Sequence, residues 1–187
     1  MTDPHYQGVI LDTHHYQIFS PSVSFPAMSQ RRFDQFKLWQ ENQRSQSQHI
    51  RTACDFGNTL RSSNRLAVVV GEWTPSMTDC AKYLNGRDGK TGHDVGSRYD
   101  GSYPGTSQSR VGSCDGLTGK ASNFSPSYKT SLAKTWEAQA MSFEKSQGWI
   151  QWTWKAEIAD EWSYKAGLDN GWIPQDPTNY KYPHICD

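Results

Sequence analysis

The sequence predicts an α/β layer structure with parallel strands, and three observations support that expectation. Segments 8–16, 66–73 and 149–157 each begin as an apolar run and end in polar residues. Short β-branched or aromatic runs, apolar nearly throughout, read as strands buried on both faces, the habit of parallel sheets. Helical periodicity lies between them. Ser125-Pro126 offers an N-cap followed by proline at the first helical position. Tyr128, Leu132, Trp136, Ala140 and Phe143 then recur at helical spacing, and Gly148 is the expected stop before the third strand.

A second helical stretch is expected from about Ser29 to Trp39, with Phe33 and Phe36 on one face, resuming near His49 to Cys54. Residues 85–119 differ from the rest. They hold 9 of the 15 glycines, many Ser and Asp residues and no sustained period. A loop of that length inside a domain is functional or disordered as a rule. The last stretch, 173–187, carries Pro174, Pro177 and Pro183 and reads as an extended tail over the surface. No repeat of fixed length is present.

Composition excludes several functions. With 19 basic and 19 acidic residues the formal net charge is zero and no basic stripe is visible, so neither nucleic acid nor an acidic membrane is an expected partner. No apolar stretch approaches the ~18 residues of a spanning helix. Cys54, Cys80, Cys114 and Cys186 form no CxxC pair, and no HExxH accompanies them. A zinc site is therefore not expected, and the chemistry below calls for no cofactor. An even, widely spread set of cysteines in a Trp-rich and Gly-rich chain favours disulfides in an oxidising compartment; four reduced buried thiols are the alternative. Asn123-Phe124-Ser125 is a glycosylation sequon with Pro126 behind it. The 8 Trp, 9 Tyr and 7 Phe mostly fill core, but Trp and Tyr also suit wet clefts for amphipathic ligands such as sugars.

Candidate chemistry sits at the strand ends. In (β/α)8 barrels the C-terminal end of each strand is the catalytic face. His14, Tyr16, Glu72, Trp154 and Glu157 would gather there. His14 and Tyr16 share a face, as do Ile150, Trp152 and Trp154, by strand alternation. Glu72 follows five apolar residues; it is catalytic, or a structural carboxylate bonded to a neighbouring Arg or Tyr. Tyr16, His14 and Trp154 each have a plain alternative as core residues.

Five motifs occur in order: Asp-Thr-His-His-Tyr-Gln-Ile-Phe (12–19), Gly-Glu-Trp (71–73), Thr-Asp-Cys-Ala-Lys-Tyr-Leu-Asn-Gly (78–86), Ser-Arg-Tyr-Asp-Gly (97–101) and Trp-Thr-Trp-Lys-Ala-Glu (152–157). Together they resemble the fungal exo-β-1,3-glucanases of glycoside hydrolase family 5, from about residue 8 to the end. The resemblance implies that residues 1–187 are the C-terminal portion of such a catalytic domain, about the last three βα units of a (β/α)8 TIM barrel. Glu72 then corresponds to the nucleophile of a retaining mechanism and Tyr16 to the phenol that hydrogen-bonds it. His14 would contact the sugar in the cleavage subsite, Trp154 would floor that subsite, Phe19 would clamp the next glucose, and Arg98 would lie near the rim. The same resemblance implies Cys80–Cys114 and Cys54–Cys186 disulfides, a β-glucan polysaccharide or oligosaccharide as substrate, and a secreted or cell-wall protein whose signal peptide lies in a missing N-terminal part.

One departure from the family pattern is large. The family's acid/base Glu lies in an Asn-Glu-Pro motif, and no Asn-Glu-Pro occurs in this chain. Glu157, Asp160 and Glu161 do not stand at that position. The expectation is an inactive fragment of a glucan 1,3-β-glucosidase-type enzyme; a non-catalytic carbohydrate-binding remnant is the alternative.

Overall fold

A computed structural model describes residues 8–18, 46–62, 67–104 and 110–187. Strand β1 (Ile10–His15) is followed by helix α1 (Gln46–Ser62) and strand β2 (Ala67–Trp73). Helix α2 (Pro126–Phe143) and the short α3 (Tyr164–Asn170) come next, with 3-10 turns at Ala121–Asn123 and Asp160–Trp162. The expected helix at Ser29–Trp39 lies outside the described residues. The chain is α/β, with β1 and β2 side by side and parallel.

Helix α2 forms for local reasons. The Ser125 hydroxyl accepts the Tyr128 N–H at 3.1 Å and Pro126 occupies the first helical position. Tyr128, Leu132, Trp136, Ala140 and Phe143 are all buried. The helix ends at Phe143, earlier than Gly148 would suggest, because a turn of four residues intervenes. Its apolar face meets Val68, Val70 and Trp73 from β2 and Trp172 and Ile173 from behind α3. Trp136 sits at the centre. It packs edge-on to Trp149 and at a tilt to Trp73, and its indole N–H donates to Gln151 Oε1 at 2.8 Å.

Helix α1 lies close to α2 at one small residue. A Cβ built on Gly57 would stand 2.7–2.9 Å from Cβ, Cα and O of Ser142. Alanine is favoured over glycine inside a helix by about 1 kcal/mol, but here the obstacle includes backbone. Gly57→Ala is expected to destabilise the chain by about 1–3 kcal/mol net. Urea unfolding checks the sign, and a higher midpoint would show that α1 shifts freely.

Two expectations need correction. Segment 149–157 is not a strand. It follows β2 only through the Val70↔Trp149 bridge and the hydrogen bonds Ile150 N–H to Val70 O and Trp152 N–H to Trp73 O. It then turns to the region around α3: Thr153 N–H donates to Trp162 O, while Thr153 O and Trp154 O accept from Tyr164 and Lys165. Those groups satisfy the backbone that a longer ladder would have used. The strands are also not buried on both faces. Val68, Val70 and Trp73 are covered by the helices, whereas Ile10 and Leu11 are 60% and 44% exposed. Among the described residues, helices cover one side of this sheet.

The cysteines pair as Cys54–Cys186 and Cys80–Cys114, bonds suited to an oxidising compartment. The tail is held by more than the first bridge: the buried Glu137 carboxylate accepts the N–H groups of Lys181 and Tyr182 at 3.0 and 2.6 Å. Asp79, buried before the glycine-rich loop, accepts from Ser97 Oγ, the N–H groups of Arg98 and Tyr99, and Asn85 Nδ2. Burial alone would raise its pKa, but these four donors outweigh it and hold it below the usual carboxylate range.

Candidate active site

One extra residue in β2 orients the site. Thr13 pairs with Val70 and His14 with Glu72, so Gly71 is a bulge. Val68, Val70 and Trp73 therefore share the helix-covered face, and Glu72 is spared from following Val70 into the core. It turns instead to the open face that carries Asp12 and His14. A Cβ at the bulge would overlap the Asp12 carboxylate as it stands, so a larger residue at 71 would displace that exposed side chain.

The side chains at the two strand ends meet. Tyr16 Oη donates to Glu72 Oε2 at 2.9 Å. His14 Nδ1 lies 3.4 Å from the same oxygen, and its Nε2 lies 3.3 Å from Asp12 Oδ2. Burial, then the hydrogen bond and charge of Glu72, raise the Tyr16 pKa. The phenol therefore keeps its proton at any physiological pH and remains a donor. A donor on the charged form of a carboxylate favours that form and fixes its orientation. Glu72 itself is half-buried. The arrangement is an oriented, accessible carboxylate held by a phenol, which can attack an electrophilic carbon or stabilise positive charge.

The other candidate residues have contacts of their own, apart from this pair. Trp154 is 61% exposed and stacks on Tyr164, centroids 5.9 Å apart. Arg98 turns into the loop, donating to Asn85 Oδ1, lying 3.5 Å from Asp79 Oδ2 and covering the Tyr103 ring. Its contacts hold the loop's form. Glu157 is exposed, and its backbone carbonyl takes the Lys120 ammonium at 2.7 Å. Phe19 lies outside the described residues. Sequence reasoning passed over Trp152. Its N–H donates to Trp73 O at 2.8 Å, so Trp152 lies beside the residue after Glu72, and its side chain is 52% exposed. Alternation put it on one face with Trp154; only the hydrogen bond to β2 tells which of the two stands nearer the strand end. Among the described residues no group of three or more His, Cys, Asp or Glu could hold a metal ion, and no helix is long and apolar enough to cross a membrane.

Comparison with known proteins adds to this geometry. No protein-family model matches the chain. It is 37% identical over 182 residues to a probable glucan 1,3-beta-glucosidase A of Aspergillus niger, covering 96% of this chain and 37% of that protein. The chain is a relative of the fungal glucan 1,3-beta-glucosidases. Glucan 1,3-beta-glucosidase of Blumeria graminis is 38% identical over 180 residues, with 96% of this chain and 36% of that one covered. Glucan 1,3-beta-glucosidase 2 of Wickerhamomyces anomalus is 36% identical over 187 residues, with 98% and 38% covered. The chain thus spans a little over a third of the length of these glucosidases.

Proposed function

We propose that this chain is the C-terminal, nucleophile-bearing portion of a secreted retaining β-glucan hydrolase of glycoside hydrolase family 5, and that it forms about the last three βα units of a (β/α)8 barrel. One observation carries the reading: the 2.9 Å hydrogen bond from Tyr16 to Glu72, made at the C-terminal ends of adjacent parallel strands. That end of a barrel's strands is where catalytic groups lie.

In this mechanism Glu72 attacks the anomeric carbon of a terminal glucose while a second carboxyl, about 5–5.5 Å away, protonates the departing oxygen. The same second group then activates the water that hydrolyses the glycosyl ester. Tyr16 holds Glu72 aimed, His14 contacts the sugar, the indole of Trp154 gives it an apolar floor, and Arg98 keeps the rim in shape. Phe19 would clamp the next glucose. The acid/base group comes from elsewhere, since this sequence contains no Asn-Glu-Pro, and the isolated chain is inactive.

The test places residues 8–187 behind the N-terminal portion of the Aspergillus niger relative. The chimera is expected to release glucose from laminarin, its Glu72→Gln variant to fall to background, and the isolated chain to stay there. A Glu72→Gln chimera with an undiminished rate would end the assignment. Glucose release by the chain alone, lost in Glu72→Gln, would overturn the missing-acid reading. The exposed Trp152 and Trp154 also favour a second reading, a carbohydrate-binding remnant without catalysis. It expects laminarin affinity that survives Glu72→Ala and disappears with Trp154→Ala.

A further inference from the structure

Glu161 is a buried carboxyl group that the mechanism above does not use. It lies on the 3-10 turn Asp160–Trp162 and is 1% exposed. Its Oε1 is 2.6 Å from Thr118 Oγ1, at the end of the glycine-rich loop, and its Oε2 has no hydrogen-bond partner. An ionised carboxylate in that setting is costly unless a cation answers it. The charged and titratable groups around it do not. Asp160, on its own turn, is a second negative charge. Tyr128 of α2 feels the charge of Glu161 and donates its own proton to Leu117 O, with Tyr99 of the loop beyond it. The ammonium of Lys120 goes to Asp160, at 3.6 Å, and to the Glu157 carbonyl.

The turn leads directly to the candidate site. Trp162 is buried against Tyr16, with ring centroids 6.1 Å apart. Its carbonyl accepts the Thr153 N–H at 2.9 Å, between Trp152 and Trp154. The loop end is tied to the same turn by Asp160 N–H to Gly119 O and by Ala121 N–H to Asp160 Oδ2.

We propose that Glu161 is a positioning residue: as a neutral carboxylic acid it clamps the loop end to this turn, and through Trp162 it keeps Tyr16 beside Glu72. Either oxygen of the 2.6 Å pair can then donate, so the clamp loses no hydrogen bond on protonation. Desolvation, only partly offset by the hydrogen bonds from Thr118 and from the N–H groups of Glu161 and Gly119, raises its pKa from 4.5 to about 7. A folded-state value above the unfolded one means that the folded chain binds more protons between these two pH values. The contribution of Glu161 to stability is therefore full below about 4.5, falls as pH rises to about 7, and is level above it.

The consequence for Tyr16 rests on the glycosidase reading, whereas the titration of Glu161 does not. The experiment follows the thermal midpoint of the whole chain from pH 4 to 9. Between pH 4.5 and 7 the folding equilibrium constant of the wild type is expected to fall by roughly 100-fold relative to that of Glu161→Gln. Buried His15, whose pKa is lowered from 6.5 to about 4, acts in the opposite sense over this interval and is common to both chains. Amide exchange of Thr153, corrected for its intrinsic rate, should accelerate over the same interval relative to Val70, whose N–H bonds to Gly148. If Glu161→Gln keeps the wild-type slope, or Thr153 and Val70 move together, the proposal is overturned. Should that variant not fold, the ¹³C carboxyl resonance of Glu161 in the wild type decides: a midpoint near 7 supports the clamp, and one near 4.5 removes it. A failed laminarin chimera beside a clear Glu161 titration would sink the catalytic reading alone.

Discussion

Trp136→Ala is expected to cost about 3–5 kcal/mol, the range for emptying a large aromatic site in a packed core. Trp136 is completely buried and borders Trp73, Trp149 and Tyr164 at once. These rings join α2 to β2, to the segment after Gly148 and to α3, so the space cannot close by moving one neighbour. Losing the indole also strands Gln151 Oε1, since the Gln151 side chain is buried. Domains of ordinary stability hold about 5–15 kcal/mol in reserve, and the variant would use much of it. Urea unfolding followed by fluorescence and far-UV circular dichroism measures the loss. A loss below about 1 kcal/mol would mean that this junction is loosely packed.

The double variant Cys54→Ser/Cys186→Ser should lose about 5 kcal/mol by the chain-entropy account, because the bridge closes a loop with sequence separation 132. The bridge joining Cys80 and Cys114, with separation 34, closes a shorter loop worth about 4 kcal/mol. The order of the two effects is the sharper expectation. It would fail if the Cys80→Ser/Cys114→Ser chain had the lower urea midpoint. The contacts between Glu137 and the tail do not involve the bridge, so they should survive its removal, the loss should come from the unfolded ensemble, and the folded-state circular dichroism should change little.

Helix α2 could be read from the sequence because its causes are local. A capping serine, a proline and a 3.6-residue apolar stripe act within a few turns of each other. The parallel pairing of β1 with β2 followed from their apolar runs, but the facing of Glu72 did not. Alternation counted from Val68 and Val70 sends residue 72 into the core, and only the bulge at Gly71 reverses that parity. Segment 149–157 looked like a strand because its composition suits one; the carbonyls and N–H groups that claim it belong to residues 162–165 and leave no mark in its own sequence. Glu161 was visible only as a spare carboxyl. Its surroundings include Thr118 of the loop end and Tyr128 of α2, both distant in sequence, and such an environment exists only after folding.

The carboxylate of Asp79 does for the glycine-rich insertion what a neighbouring strand does for a hairpin: it gives otherwise irregular backbone a fixed set of partners. The points that must stay constant are then few, namely Asn85, Ser97 and the two amides that follow it. Stretches between and beyond these anchors can change length or composition at little thermodynamic cost, so the outer surface of the insertion can be recontoured while its anchored frame stays as it is.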